Sequence, residues 1–324
     1  MASIMKYYFD THHHYCQLYD KEKLVHTCQV GSFMEFYSTE TEGPNLHKLS
    51  EILNIVVSRK DKSIAKIDKN NPYMMGYPLA SHNKFLKIML DNGYIVVVTE
   101  QVTPPPNPKR QVTGIFTPGT NIDDYENLNN YLLGLYIEEI ETKHVVGISL
   151  IDVSTGEVYI HETHTVEHYD EYYPLDEIVT IIKNYNPKEI ILCHHNISDV
   201  NKLIDYLECK KIIYYNKTLS EIQGIDKLKF QSELLYKIYP NVNKNILFEE
   251  LELESSIYSR IALCFTINYI YQHDKNLLIK LDIPKQLKTD KTMYLGNNAL
   301  QQLDVFSHKG LYKIINQTKT HMGA

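Results

Sequence analysis

The segment Gly31-Ser32-Phe33-Met34-Glu35-Phe36-Tyr37 combines residue types that could read a nucleic-acid base. Side chains alternate between the two faces of an extended chain, so Phe33 and Glu35 share one face. A large apolar ring can wedge between base steps. A carboxylate two residues away can accept a hydrogen bond from a base edge, or donate one if protonated. Phosphates repel an acid, so Glu35 makes sense as a nucleic-acid contact only where it meets a base. Gly31 permits a positive φ or a close backbone approach just before the pair. A competing reading makes Phe33, Phe36 and Tyr37 core aromatics and leaves Glu35 facing water.

Three further groups could carry chemistry. The run Val102-Thr103-Pro104-Pro105-Pro106-Asn107-Pro108-Lys109-Arg110 reads as a stiff surface loop ending in two cations. Lys109 and Arg110 could hold phosphates, each adding salt-sensitive affinity that ignores base sequence. Lys84 and Lys87, on the helical segment after Pro78, could do the same. His12-His13-His14 and Cys193-His194-His195 invite a metal reading, but adjacent residues on one element point in different directions, so neither run has ligand geometry by itself. No Gly-x-x-x-x-Gly-Lys-Ser/Thr phosphate loop occurs in the chain, which is therefore not expected to be an enzyme or to hold a cofactor or metal.

Composition narrows the partners. The formal net charge of -7 argues against a generally basic nucleic-acid binder. The charge is uneven, however: residues 1–120 hold 13 Lys+Arg against 11 Asp+Glu, and the remainder holds 20 against 29. Phosphate contact fits the first part better. The length of 324 residues suits two or three domains, and 43% hydrophobic with 23% charged residues suits packed cores. Five cysteines, an odd number with no Cys-x-x-Cys pair, argue against a disulfide framework or zinc site and for a reducing compartment. The N-terminus has no basic-then-apolar leader, and no apolar run approaches the roughly 18 residues of a membrane span. The expectation is a soluble intracellular protein that does not engage a membrane.

The elements that must position these residues follow from periodicity. Lys6 to about Lys23 predicts an amphipathic helix, Leu24–Tyr37 a strand that bends at Gly31, and Leu46–Leu53 a second helix. Ile55–Arg59 and Ser63–Lys69 read as two strands of a meander joined by a charged turn. Ser81–Asn92 reads as a helix closed by Gly93, Tyr94–Thr99 as a buried strand, and Gln111–Phe116 as another strand. The acidic, Asn-rich stretch 121–130 reads as a linker. Beyond it, strands at Tyr131–Ile137, Val145–Asp152 and Glu157–His161 precede two alternations of helix and strand. The helices are Leu175–Asn186 and Val200–Cys209, and the strands Glu189–Cys193 and Lys211–Tyr215. That alternation marks an α/β domain. Ile257–Leu281 is the longest helical pattern in the chain, with a broad apolar stripe.

The ordered set of short motifs resembles the MutS mismatch repair family. In that family a glycine precedes a Phe-x-Glu motif whose Phe stacks on a mispaired base and whose Glu hydrogen-bonds it. The matching residues here are Phe33, Met34 and Glu35. Met75-Gly76-Tyr77-Pro78 is similar to the family's Gly-x-Pro turn before a helix, and Val98-Thr99-Glu100-Gln101 to its strand-ending Glu-Gln. Thr117-Pro118-Gly119-Thr120 is similar to its domain-closing Thr-Pro-Gly-Thr. Asp152-Val153-Ser154-Thr155-Gly156-Glu157 is similar to a hairpin of its second domain. Leu303-Asp304-Val305 and Thr318-Lys319-Thr320-His321-Met322-Gly323 are similar to the start of its core domain. Two departures stand out: Leu79-Ala80 replaces a common Tyr-His after the Gly-x-Pro turn, and Met34 replaces a common Tyr.

The resemblance implies an α/β chain in three parts. These are a mixed-sheet mismatch-recognition domain over residues 1–122, a ribonuclease-H-like connector over 130–248, and the first helices of an α-helical core domain over 249–324. It implies binding of mismatched or kinked double-stranded DNA through Phe33, Met34 and Glu35. It further implies a truncated chain whose full-length parent is a DNA-dependent ATPase using ATP and Mg. That parent would be a homodimer or heterodimer contacting downstream repair proteins. Two rival readings accompany it: a protein-interaction fragment without DNA binding of its own, and a metal-dependent nuclease using Asp152, which lies where nucleases of the connector's fold place a metal-binding Asp.

Overall fold

The computed structural model describes residues 4–104, 106–120, 130–141, 143–165, 170–288, 299–307, 309–316 and 318. The first unit contains α1 (Ile4–Cys16), β1 (Leu24–Val30), β2 (Phe33–Ser38), α2 (Leu46–Leu53), β3 (Ser58–Arg59), β4 (Tyr73–Pro78), α3 (His82–Asp91), β5 (Ile95–Gln101) and β6 (Arg110–Phe116). Its strands form one sheet in the order β3-β4-β2-β1-β5-β6, with β1 and β5 parallel and the other neighbours antiparallel.

Strand alternation gives this sheet two different faces. Val25, Met34, Phe36, Met75, Tyr77, Val96 and Val98 enter a core closed by Leu46, Leu49 and Leu53 of α2 and by Leu86, Met89 and Leu90 of α3. Cys28 and Tyr37 emerge on the other face, under Met5, Tyr8 and Phe9 of α1. Asn45 caps α2 by accepting the Lys48 N–H at 3.1 Å, and Asn54 ends the helix in the left-handed region.

Several expected elements take a different form. Leu24–Tyr37 is a hairpin rather than one bent strand. Val30 pairs with Phe33 across a two-residue turn, and Gly31 has φ 60°, the geometry that a tight hairpin demands. The first helix stops at Cys16, seven residues before the limit set by its periodicity. Ser63–Lys69 is not a strand. The Asn71 side chain donates to the carbonyls of Asp61, Ile64 and Lys66 at 3.1–3.2 Å, and its oxygen accepts the Asp61 N–H at 2.7 Å. One buried amide therefore satisfies the backbone groups that a neighbouring strand would otherwise pair. The strand that does form nearby is β4, which carries the whole Met75–Pro78 motif. The expected linker, 121–130, lies outside the described residues except for Asn130.

The second unit contains β7 (Tyr131–Ile140), β8 (Lys143–Asp152), β9 (Val158–His164), α4 (Tyr173–Tyr185), β10 (Glu189–His195), α5 (Val200–Tyr206), β11 (Ile213–Thr218), α6 (Leu228–Ile238), α7 (Leu247–Glu250), α8 (Ile257–His273) and β12 (Lys285–Gln286). The sheet order is β11-β10-β7-β8-β9-β12. Strands β7, β8 and β9 form an antiparallel meander, while β10 runs parallel to β7 and β11 parallel to β10. Leu175, Ile178, Ile181 and Ile182 of α4 and Leu203 of α5 close one face.

The other face is closed by α8, which is buried nearly all round rather than along one stripe. It therefore completes the second unit instead of opening a separate helical domain, and the expected boundary at 248/249 falls inside a single packed body. The helical pattern to Leu281 is also broken. Asp274 leaves helical geometry with φ -152°, and Lys275–Lys280 continues as a 3-10 turn. Short helices α9 (Ala299–Gln302) and α10 (Leu311–Ile315) follow, with Leu303, Phe306, Ile314 and Ile315 exposed.

Two glycines let α8 approach the sheet. A Cβ on Gly134 would overlap the Thr266 hydroxyl, and one on Gly147 would overlap the backbone of Tyr258 and Ser259. The N-terminus of α8 is held at that spot by Glu162 of β9, whose carboxylate accepts the N–H groups of Tyr258 at 2.7 Å and Ser259 at 3.0 Å. Arg260 then ties α8 to its neighbours, donating to Gln231 at 2.7 Å and to the Leu253 carbonyl at 2.8 Å. Backbone cannot yield as a side chain can. Gly147→Ala is therefore expected to cost about 3 kcal/mol, the upper end of ordinary overpacking, measured as a shift in urea-unfolding free energy. Gly31→Ala, with open space around it, should cost only about 1 kcal/mol from its φ. Equal losses for the two variants would contradict the close approach.

Candidate nucleic-acid interface

The hairpin tip places Phe33 at the surface, 47% exposed, while its sequence neighbours Met34 and Phe36 are fully buried. Bracing of the tip is dense. Leu79 N–H donates to the Ser32 carbonyl at 2.8 Å, so the turn is anchored to the end of β4. Gln29 donates from its amide to the Gly31 carbonyl at 3.0 Å and accepts the Gln101 N–H at 2.9 Å. With its amide oxygen turned toward the available donors, Gln101 accepts from Gly31 N–H at 3.1 Å and from Arg110 Nη2 at 2.9 Å. Arg110 also donates from Nε to the Gln29 carbonyl at 3.2 Å. An exposed ring on an immobilised turn can be pressed against a partner with little loss of conformational freedom.

Glu35 lies one strand pair further in, half-buried, on the face that Phe33 shares with Tyr37. It pairs with Cys28 on one side and Gly76 on the other. A Cβ at Gly76 would press on the Met34 carbonyl at 2.7 Å and on the Glu35 side chain at 3.2 Å, so glycine there leaves room for the carboxylate. Tyr37 donates its hydroxyl to Glu35 Oε2. Its own ring is 2% exposed and meets Tyr8 of α1 edge-on at 5.0 Å. Tyr8 in turn stacks on His26 at 4.4 Å and donates to the His26 carbonyl at 2.7 Å.

The structure thus brings Phe33, Glu35, Lys109 and Arg110 to one end of the first sheet. Lys109 is exposed on a loop closed by Val102 N–H to the Lys109 carbonyl at 2.9 Å and Lys109 N–H to Thr103 Oγ1 at 2.7 Å. Arg110 is half-buried and braces the hairpin, a role its position after a proline cluster did not announce. Lys84 is exposed on α3, which covers the face that Met34 enters, so it sits on the opposite face from Glu35. Met34 itself corrects the expectation. It has no exposed surface and packs among Val25, Phe36 and the α2 and α3 leucines, so its side chain cannot reach a ligand. Alternation within the strand makes both facts one: a Phe33 that projects requires a Met34 that does not. The same alternation could have singled out Tyr37 as the third member of the Phe33 row.

Asp152 is engaged as a turn cap. Its Oδ1 accepts Ser154 N–H at 2.8 Å, Ser154 Oγ at 2.5 Å and Thr155 N–H at 3.3 Å. Among the described residues no group of three or more His, Cys, Asp or Glu is placed to hold a metal ion. His12 is buried and faces Cys16, while His13 is exposed beside Gln17, as expected of neighbours on a helix. No helix among the described residues is long and apolar enough to cross a membrane.

Two family models cover most of the chain: MutS domain I matches residues 6–125 and MutS domain II matches residues 130–271. The chain belongs to the MutS family. A MutS homologue of Acanthamoeba polyphaga mimivirus is 32% identical over 99% of this chain and 32% of its own length. The DNA mismatch repair proteins MutS of Fervidobacterium nodosum and Petrotoga mobilis are 29% and 27% identical, over 85% and 89% of this chain. The chain spans about a third of the length of these relatives. The domain II match runs through most of α8, in keeping with the packing of that helix on the second sheet.

The histidines around these contacts give a pH signature. Burial pushes His26 down to about 3, with His12 nearby adding to the effect, and pushes His12 and His273 down to about 4. Each is neutral in the folded chain and protonates near 6.5 when unfolded, so the unfolded state binds more protons between these values. Stability is therefore complete above about pH 6.5 and falls on acidification toward pH 4, by up to about 1.4 kcal/mol per pH unit per histidine. Glu189, raised by burial, works the opposite way over its own window, as one group against three. Urea midpoints at pH 7, 6 and 5 should fall in that order. A flat series would show that these histidines protonate without unfolding the chain.

Proposed function

We propose that the chain binds mismatched or kinked double-stranded DNA as the recognition part of a MutS-type mismatch repair protein. The observation that carries this reading is the Phe33 ring, exposed at a braced hairpin tip beside a half-buried carboxylate, within the stretch matched as MutS domain I. Phe33 enters by the minor groove and unstacks a base step. Unstacking costs a few kcal/mol and least at a mispair, so the wedge favours weakened steps. Glu35 makes one hydrogen bond to the displaced base. Lys109, with Arg110 behind it, holds backbone phosphate, and Lys84 contacts backbone only where the duplex reaches the other side of the sheet.

The second unit acts as a ribonuclease-H-like connector. Its support is the strand arrangement: an antiparallel meander β7-β8-β9 extended beyond β7 by parallel β10 and β11. The capped state of Asp152 favours a structural role for this unit over nuclease chemistry. In a full-length protein the connector links mismatch sensing to an ATPase that uses ATP and Mg, within a dimer that contacts further repair proteins.

Phe33→Ala is expected to remove the preference for a G·T or unpaired-T duplex over its matched counterpart, leaving weak binding that salt abolishes. Lys109→Ala should weaken both duplexes alike and reduce the slope of log affinity against log salt by about 0.9. Gel-shift titrations over a salt series read both effects. Equal affinity of the unmutated chain for mismatched and matched DNA would sink the proposal.

A further inference from the structure

We propose that Tyr37 is the positioning residue for Glu35, and that the specificity of base reading depends on its hydroxyl. This rests on the base-reading role of Phe33 and Glu35 proposed above. Three observations on the α1 face of the sheet carry it.

The first is the contact itself. Tyr37 lies two residues beyond Glu35 on β2, on the same face, and its O–H donates to Glu35 Oε2. The second is rigidity. The Tyr37 ring is packed by Met5, Tyr8 and Phe9 of α1, and Tyr8 is itself fixed by stacking on His26. His26 is held in place through its Nε2 to Thr99 Oγ1 at 2.9 Å and its Nδ1 to the Tyr8 carbonyl at 3.2 Å. The hydroxyl therefore has a fixed address, and the flexible Glu35 side chain takes its orientation from it. The third is the space around the acid. Its cross-strand partners are Gly76, which has no side chain, and the small Cys28. Without the hydroxyl, rotamer freedom would return to Glu35.

The consequence is chemical as well as geometric. One carboxylate oxygen is engaged by Tyr37, which leaves Oε1 to meet the base. A carboxylate oxygen held at one point favours a mispaired base that presents an N–H there, and penalises one that presents only an acceptor. Tyr37 is thus a determinant of which displaced bases are accepted, although it does not touch the DNA.

A double-mutant cycle tests this, read as the ratio of mismatched to matched duplex affinity for G·T and unpaired-T probes. Tyr37→Phe keeps the ring and its packing, so its thermal unfolding and matched-duplex affinity should stay near those of the unmutated chain. Its mismatch ratio should fall about three- to tenfold, the scale of one hydrogen bond. In a Glu35→Ala background, adding Tyr37→Phe should change the ratio no further. The proposal is overturned if Tyr37→Phe leaves the ratio intact, or if it lowers the ratio equally with and without Glu35. The parent reading stands or falls separately, on whether Phe33→Ala abolishes the ratio.

Discussion

One carboxylate without access to water ties the segment leaving the first sheet to the second unit, beside an apolar cluster that both units share. Glu189 opens β10, an interior strand of the second sheet, and is completely buried. Its Oε2 accepts the N–H of Gly119, in the segment leaving the first sheet, at 2.8 Å, and its Oε1 accepts the hydroxyl of Tyr269 on α8 at 2.5 Å. Thr117 adds its hydroxyl. A polar group left unpaired in such a place costs about 1–3 kcal/mol, so all three segments must arrive together. A Cβ at Gly119 would lie 2.8 Å from both the Cβ and Oε2 of Glu189, so any other residue there would force the junction to shift. The chain Tyr19–His273–Tyr269 extends the junction back to the end of α1, with Tyr19 meeting His273 at 2.9 Å.

Around that junction the division of labour is physical. The second unit is a deep body in which a helix lies almost against its sheet, through glycines at 134 and 147, an acidic cap from Glu162 and the buried guanidinium of Arg260. The first unit is thinner. One face of its sheet is a closed core, and the other is only partly covered by α1, which leaves the hairpin end open. The proposed base-contacting residues Phe33 and Glu35 sit at that open end, on paired or braced backbone. A wedge has to be both exposed and stiff. Here exposure comes from the limit of α1, and stiffness comes from Gln29, Gln101 and Arg110.

The same arrangement links the two proposed partners of the displaced base. Phe33 and Glu35 are equivalent in sequence pattern, yet their environments differ. Phe33 projects beyond the edge of the aromatic stack, while Glu35 rests on it through Tyr37. In the proposed reading the apolar residue is thereby left for unstacking, and the polar one is held for discrimination. Sheet pairing to Gly76 makes this division feasible, because any larger residue opposite would contend with the carboxylate for the same space.

The sequence by itself determined the residue types of the proposed probe, the face shared by Phe33 and Glu35, the two successive α/β halves and the ordered motifs that place the chain among MutS proteins. These are local properties: alternation, turn chemistry and short spacings that survive without knowledge of neighbours. Tertiary structure decided the rest, because each remaining feature depends on groups distant in the chain. Asn71 captured the carbonyls of a segment that by composition reads as a strand. Arg110 turned from a free phosphate ligand into a brace because Gln29 and Gln101 lie across the sheet from it. Met34 left the site for the core, and α8 joined the second body because two glycines on other strands made room for it. Even the hairpin at Gly31, local in sequence, became a fixed platform only through Leu79 and Gln101, some 48 and 70 residues further along the chain.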